Sequence, residues 1–176
     1  MFKFIFNLIL VFTLTSCFDE AKDDSFLIES ASPLKVQNLR LKTVHGDIII
    51  KLHSKEAPST VERIVSLTNK GFYNGLTFHK VIPNFILQTG DPLGTGEGGS
   101  GQKLKLELSN LEQQPGAVSI ARQISDPNSG DSQFFICVDG CEEVAGSYTI
   151  FGQVIIGLDI AKKIQKKDKI INMSLE

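Results

Sequence analysis

Phe78-His79-Lys80-Val81-Ile82-Pro83-Asn84-Phe85-Ile86-Leu87-Gln88-Thr89-Gly90-Asp91 is the stretch whose reading decides the fold. Two short β-rich runs flank a Pro-Asn turn. Lys80 and Gln88 each interrupt an apolar run, and Phe85 lies between them. Side chains alternate between the two faces of a strand, so Ile86 and Gln88 share one face and Leu87 takes the other. A cation, an amide and a phenyl ring then converge on one patch outside a barrel or sandwich core.

Upstream, Leu39–Thr43 alternates apolar and polar, His45-Gly46-Asp47 supplies turn residues, and Ile48–Leu52 follows, which is a β-hairpin signal. Ala57-Pro58-Ser59-Thr60 starts a helix, with Pro tolerated in the first turn. Val61, Ile64, Val65 and Leu67-Thr68 form its core stripe, and Gly71 closes it. Downstream, Gly94, Gly96 and Gly99 spell a dinucleotide-binding pattern, which requires a helix to follow. Lys103–Leu108 alternates like a strand instead, so the nucleotide reading is rejected. Ala117–Ala121 reads as a strand, Arg122–Asp131 as a polar loop, and Ser132–Cys137 and Tyr148–Val154 as further strands. Gly157–Gln165 suits a short helix and Ile170–Leu175 a closing strand. Pattern alone therefore gives a mainly antiparallel β domain with two helices.

Residues 78–91 resemble the signature of the cyclophilin-type peptidyl-prolyl isomerases, roughly Phe-His-Arg-Val-Ile, a short turn, then Phe-Met-Ile-Gln-Gly-Gly-Asp. Ser132-Gln133-Phe134-Phe135-Ile136-Cys137 and Tyr148-Thr149-Ile150-Phe151-Gly152-Gln153-Val154 are two further matches in the same order. The resemblance covers about Val36 to Leu175. It implies a closed eight-stranded antiparallel β-barrel capped by two α-helices, with the glycine-rich loop as a surface connection. It also implies catalysis of Xaa-Pro bond rotation in polypeptides, with no cofactor.

The chemistry sets what the site must contain. The peptide bond has a rotational barrier of about 18–20 kcal/mol, and X–Pro bonds exchange isomers over roughly tens to hundreds of seconds. A catalyst needs no nucleophile, metal or redox group; it must bind the twisted amide better than either planar form. Twisting returns the lone pair to the prolyl nitrogen, and a fixed donor there favours the transition state. By resemblance, Lys80 is that donor, Gln88 steadies substrate backbone, and Phe85, Ile86, Phe135 and Val144 form the pocket for the proline ring. Ile86 replaces the family's usual Met. Ala121 and Arg122 line the adjoining groove and contact substrate backbone. Tyr148 stands where eukaryotic members carry His. Of the adjacent Phe134 and Phe135, the first points into the core and the second into the site.

The family's catalytic arginine is Lys80 here. Arg presents a rigid planar fork of donors, whereas Lys is a flexible point charge, which implies weaker isomerase activity. The competing reading is a binding module for proline segments with little catalysis; turnover separates the two. A third, a structural lipoprotein that binds nothing, leaves Gln88 and Phe135 without a purpose. Glu143 falls where many eukaryotic members carry a Trp that contacts cyclosporin, which implies poor inhibition by that drug. Outside the motif each residue has a plainer reading: Phe85 and Phe135 as core, and Lys80, Gln88 and Arg122 as solvated surface. His79 reads as a hydrogen-bonded structural residue. His45, His53 and His79 lack metal-ligand spacing with Cys or paired carboxylates.

The N-terminus has a different character. Met1-Phe2-Lys3 precedes an almost wholly apolar Phe4–Leu14, too short for a membrane span, which needs about 20 residues, and suited to a secretory signal. Leu14-Thr15-Ser16-Cys17 resembles the bacterial lipoprotein processing box, which implies cleavage before Cys17 and acylation of Cys17. A cleaved signal with an incidental Cys and an uncleaved anchor are the alternatives. Residues 17–35 read as an acidic linker carrying Asp19, Glu20, Asp23, Asp24 and Glu29. The organisation expected is a signal over 1–16, a lipidated Cys and linker over 17–35, and an isomerase domain over 36–176. That places the domain in the cell envelope, facing the periplasm or exterior.

The formal net charge of −2 leaves no basic footprint for nucleic acid. No interface signal is evident, so a monomer is expected. Cys137 and Cys141 are expected to stay unpaired: an extracytoplasmic compartment permits a disulfide, but a strand cysteine in a core is commonly free.

Overall fold

The computed structural model describes residues 38–176. The signal peptide over 1–16, the acylated Cys17 and the linker over 17–35 lie outside the described residues. Eight antiparallel strands form one sheet in the order β3-β4-β6-β5-β7-β2-β1-β8. The strands are β1 (Asn38–Thr43), β2 (Gly46–Leu52), β3 (Lys80–Ile82), β4 (Ile86–Thr89), β5 (Ala117–Ile120), β6 (Phe134–Cys137), β7 (Ile150–Ile156) and β8 (Ile170–Leu175). The helices are α1 (Pro58–Asn69) and α2 (Leu158–Ala161). The sheet is a curled half-barrel whose edge strands are β3 and β8. The segments leading into those edges exchange backbone hydrogen bonds: Phe78 N–H donates to Asp168, Lys167 N–H to Phe78, and Ile170 N–H to Leu76.

Strand alternation fills the interior. Leu39 and Leu41, Ile48 and Ile50, Leu87, Val118, Phe134, Ile136 and Phe151 form one buried cluster. Tyr73, Phe134 and Phe151 stack edge to face, with centroids 5.6 and 5.9 Å apart. The Tyr73 hydroxyl donates to the Ser132 carbonyl at 3.1 Å, so this buried polar group has a partner. Helix α1 buries Thr60, Val61, Ile64, Leu67 and Thr68, its apolar stripe, and packs on β8; α2 packs on β2.

Two expectations need correction. Lys103–Leu108 is not a strand; it holds only an isolated bridge, Leu104 to Gly130. Its N–H groups go elsewhere: Leu106 donates to the Asn128 side chain and Glu107 to the Thr149 hydroxyl. Glu107 is diverted to cap α1. Its carboxylate accepts from the backbone N–H of Ser59 and Thr60 and from the Thr60 hydroxyl, at 2.7–3.0 Å. Ala57 at the N-cap has no side chain able to do this.

Cys137 and Cys141 are joined by a disulfide, not free. Both are fully buried as the core reading requires. The chain reverses directly after β6, with Gly140 at φ 56°, a backbone conformation that favours glycine. This returns Cys141 to within 6.0 Å of Cys137, Cα to Cα, inside the range a disulfide spans.

Candidate active site

Register across three strands builds the site. Lys80 on β3 pairs with Gln88 on β4, and Gln88 pairs with Phe135 on β6. The cation, the amide and the phenyl ring therefore stand in one row on one face. Neighbouring strands lie about 4.8 Å apart, so the row spans about 10 Å. Two residues along, Ile86 pairs with Cys137 and brings its side chain to the same face. Leu87 points the opposite way into the core.

A second apolar cluster covers this outer face. Ile86, Ala117, Phe135, Cys137, Cys141 and Ile150 are its buried members, with Phe85, Ala121, Val144 and Tyr148 packed against them. A pocket of about 270 Å³ opens among them. All nine residues expected at the site line it: Lys80, Phe85, Ile86, Gln88, Ala121, Arg122, Phe135, Val144 and Tyr148. Ile124, 89% exposed on the polar loop, is an additional wall.

Each wall has a physical support. Phe85 follows the tight turn, where Asn84 sits at φ 56°, and its carbonyl accepts the Val138 N–H at 2.8 Å. Phe135 meets Tyr148 edge to face at 5.1 Å. The Arg122 guanidinium lies 5.1 Å over the Tyr148 ring and donates to the carbonyls of Ser147, Gln123 and Ile124. Arg122 thus ties the loop carrying Ile124 to the loop carrying Tyr148. Lys80 is exposed at the rim with no ion pair among the described residues.

Gln133 went unassigned at the sequence level, although it lies inside a quoted motif. Its Oε1 accepts from Gln88 Nε2 at 2.8 Å, and its Nε2 donates to the carbonyls of Gly96 and Gly98 at 2.9 and 2.7 Å. The glycine-rich loop is therefore more than a surface connection. It helps hold Gln88 and forms one wall of a second pocket of about 580 Å³ beside the first, shared with Gln88, Ala121 and Arg122.

Two carboxylates shape that loop. Asp91 accepts from the backbone N–H groups of Leu93, Thr95 and Gly96 at 2.5–2.8 Å. Burial pulls its pKa up, but the N–H donors of Leu93, Gly96, Gly98 and Thr95 together outweigh that and hold it below the ordinary value. Asp131 accepts from the Ser100 hydroxyl and the Gly101 N–H. A Cβ at Gly98 would collide with Asp91 and one at Gly99 with Asp131, so the wrap requires glycine at both positions.

His79 is buried, but it is not hydrogen-bonded as expected: neither ring nitrogen has a partner. Gln133 lies beside the ring without a bond of good geometry. Burial lowers the His79 pKa; Asp91 opposes the shift and Lys80 adds to it. Among the described residues there is no group of three or more side chains able to hold a metal ion.

An apolar pocket, a cation at its rim and an amide in register with it therefore stand together on one face. The profile of the family "Cyclophilin type peptidyl-prolyl cis-trans isomerase/CLD" matches residues 38–173. The chain belongs to this family. It is 36% identical over 146 residues to a peptidyl-prolyl cis-trans isomerase of Helicobacter pylori, covering 82% of this chain and 90% of that one. It is 38% identical over 137 residues to one of Synechococcus elongatus, covering 77% and 93%. Among solved structures, a Cryptosporidium parvum cyclophilin type isomerase determined in the presence of the dipeptide Ala-Pro superposes with a TM-score of 0.73 at 30% identity. That match covers 79% of this chain and 98% of the other, so the solved chain consists almost wholly of the matching domain. The present cyclophilin is thus a peptidyl-prolyl cis-trans isomerase.

Proposed function

We propose that this cyclophilin catalyses Xaa-Pro rotation in proteins outside the cytoplasm, as a lipid-anchored folding helper, and more slowly than members with arginine at position 80. The observation that carries the site assignment is the register row Lys80–Gln88–Phe135 within one pocket. The proline ring enters between Phe85, Ile86, Phe135, Val144 and Tyr148. Lys80 Nζ donates to the prolyl nitrogen as the amide twists. Gln88, oriented by Gln133, steadies the substrate carbonyl. Ala121 and Arg122 line the continuation of the chain. The hydrogen-bonded seam before β3 and β8 supports a closed barrel in this reading.

The envelope assignment rests on the apolar leader ending at Cys17. The buried disulfide supports it, because disulfides persist in oxidising compartments and are rare in the cytosol. The slower rate rests on geometry: one flexible ammonium replaces a planar fork. The binding-module reading draws on the same lysine, and turnover decides between them.

The test is a protease-coupled isomerisation assay on a short Xaa-Pro peptide, with the wild type and Lys80→Arg side by side. The wild type should turn over, and Lys80→Arg should raise kcat/KM about tenfold, about 1.4 kcal/mol of barrier. Peptide binding without turnover in the wild type would favour the binding module. Equal rates in both proteins would remove the account of slow catalysis.

A further inference from the structure

The largest of the cavities described lies on the other side of the β3–β4 hairpin from the substrate pocket. It has a volume of about 750 Å³. Val81 pairs with Leu87 in the strand register and both line this cleft, while Lys80 and Gln88, one residue away on each strand, line the substrate pocket. The two cavities therefore open on opposite faces. Val138 and Ile164 complete an apolar floor.

The rim is cationic. Residues 162–169 read Lys-Lys-Ile-Gln-Lys-Lys-Asp-Lys, five lysines in eight residues. Residues 38–176 carry fifteen basic and fifteen acidic side chains, so a third of the positive charge of a neutral domain sits in this one segment. The charge is little opposed. Asp168, the one acid in the segment, is taken by His45 at 2.8 Å and the Gln165 N–H at 2.7 Å. Lys163 reaches only Asp159, at 3.5 Å, and the pair is exposed. Lys162, Lys166, Lys167 and Lys169 are exposed and have no ion pair among the described residues. Beside them the turn exposes Ile82, at 38%, and Pro83.

We propose that this lysine-rimmed face docks on a bilayer containing anionic phospholipids. A cluster of this density is attracted to acidic headgroups even when the net charge of the domain is zero. The Ile82-Pro83 turn supplies apolar surface at the depth of the headgroups. Lys162, Lys163 and Lys166 line the cleft and the exposed Lys167 and Lys169 follow directly in the chain, so a membrane can meet the whole cluster, whereas a peptide lying along the apolar floor would leave Lys167 and Lys169 unused. Anchoring favours the same partner, because residues 18–37 extend at most about 70 Å. Docking by this face turns the substrate pocket away from the membrane, toward passing polypeptides.

The inference rests on the envelope reading but is tested apart from it. Residues 32–176, the compact unit that matches a solved chain consisting almost wholly of the matching domain, lack Cys17 and the leader. This domain is sedimented with vesicles of phosphatidylcholine, or of phosphatidylcholine mixed with phosphatidylglycerol. It should sediment with the mixed vesicles only, and raised salt should release it. The triple variant Lys162→Glu, Lys166→Glu, Lys167→Glu should bind roughly 100-fold more weakly with unchanged isomerase activity, which shows that it is folded. Ile82→Ser should also weaken binding, without changing charge. Failure of the wild type to sediment, or a triple variant that sediments equally well, would overturn the proposal. So would a soluble acidic peptide that binds the cleft when mixed vesicles do not. Mass analysis of the mature N-terminus tests acylation, so either claim can fail without the other.

Discussion

Lys80 carries its charge at the end of a flexible stem, and nothing among the described residues holds that charge in place. Gln88 is held, through Gln133 and the glycine-rich loop. The pocket thus combines an ordered amide with an unpaired cation at its rim, which is the physical ground on which slow catalysis is proposed. His79 gives a separate prediction at this scale. Burial lowers its folded pKa below the ordinary 6.5, so the unfolded chain takes up the proton first as pH falls. Stability should therefore decline as pH drops through 6.5 toward the folded pKa, and level off below it. His53, also lowered chiefly by burial, contributes in the same direction. Thermal melts across this range should show the decline, and His79→Leu should flatten part of it; an unchanged slope would mean that His79 is not buried neutral. That the expected site residues would line one pocket was legible because they sit in ordered motifs. Ile124 was not: its contribution depends on how Arg122 folds a polar loop, and no local pattern records that. The missing partner of His79 was equally illegible, since a motif fixes position and not hydrogen bonding.

At the scale of elements, local period succeeded where side-chain alternation was also the burial pattern. The β1–β2 hairpin, helix α1 and strand β8 lie where alternation, the proline start and the apolar stripe put them. It failed at Lys103–Leu108, because the backbone donors there were taken by Asn128 and Thr149 and the carboxylate of Glu107 was drawn to a helix some forty-seven residues away. The missing N-cap at Ala57 was visible in the sequence; its remote replacement was not. Glu107→Ala should therefore destabilise the domain by about 1 kcal/mol, read as a lower denaturant midpoint at unchanged m-value. No shift in the midpoint would show that α1 does not depend on this cap. The disulfide escaped for a related reason: cysteine spacing carries no information on whether the chain reverses between the two residues.

At the scale of the whole molecule, one sheet presents two faces of opposite purpose. Its concave side is the core, and the outer face of β3, β4 and β6 carries the pocket proposed for substrate. Strand order is non-sequential, so the juxtaposition of β4 with β6 came to the sequence reading only through family resemblance. Pattern supplied the class, mainly antiparallel β with two helices, and nothing in a two-residue period specifies which strands become neighbours. The leader belongs to this scale as well. Cys17→Ser should abolish acylation and shift the protein from the membrane to the soluble fraction after cleavage, or leave it uncleaved; either is read by mass and fractionation. A Cys17→Ser product that is still acylated, or that is processed and fractionates as the wild type does, would contradict the lipoprotein reading.

The central claim is that the cation at position 80 stabilises the twisted amide, and the most direct measurement is exchange-detected NMR isomerisation of a short Xaa-Pro peptide by wild type and Lys80→Ala. The account predicts that the wild type drives exchange and that Lys80→Ala lowers the catalysed rate about 100-fold, the scale of one lost transition-state donor, while peptide binding changes little. Exchange that persists at the wild-type rate in Lys80→Ala would contradict it and would assign catalysis to the pocket without its lysine.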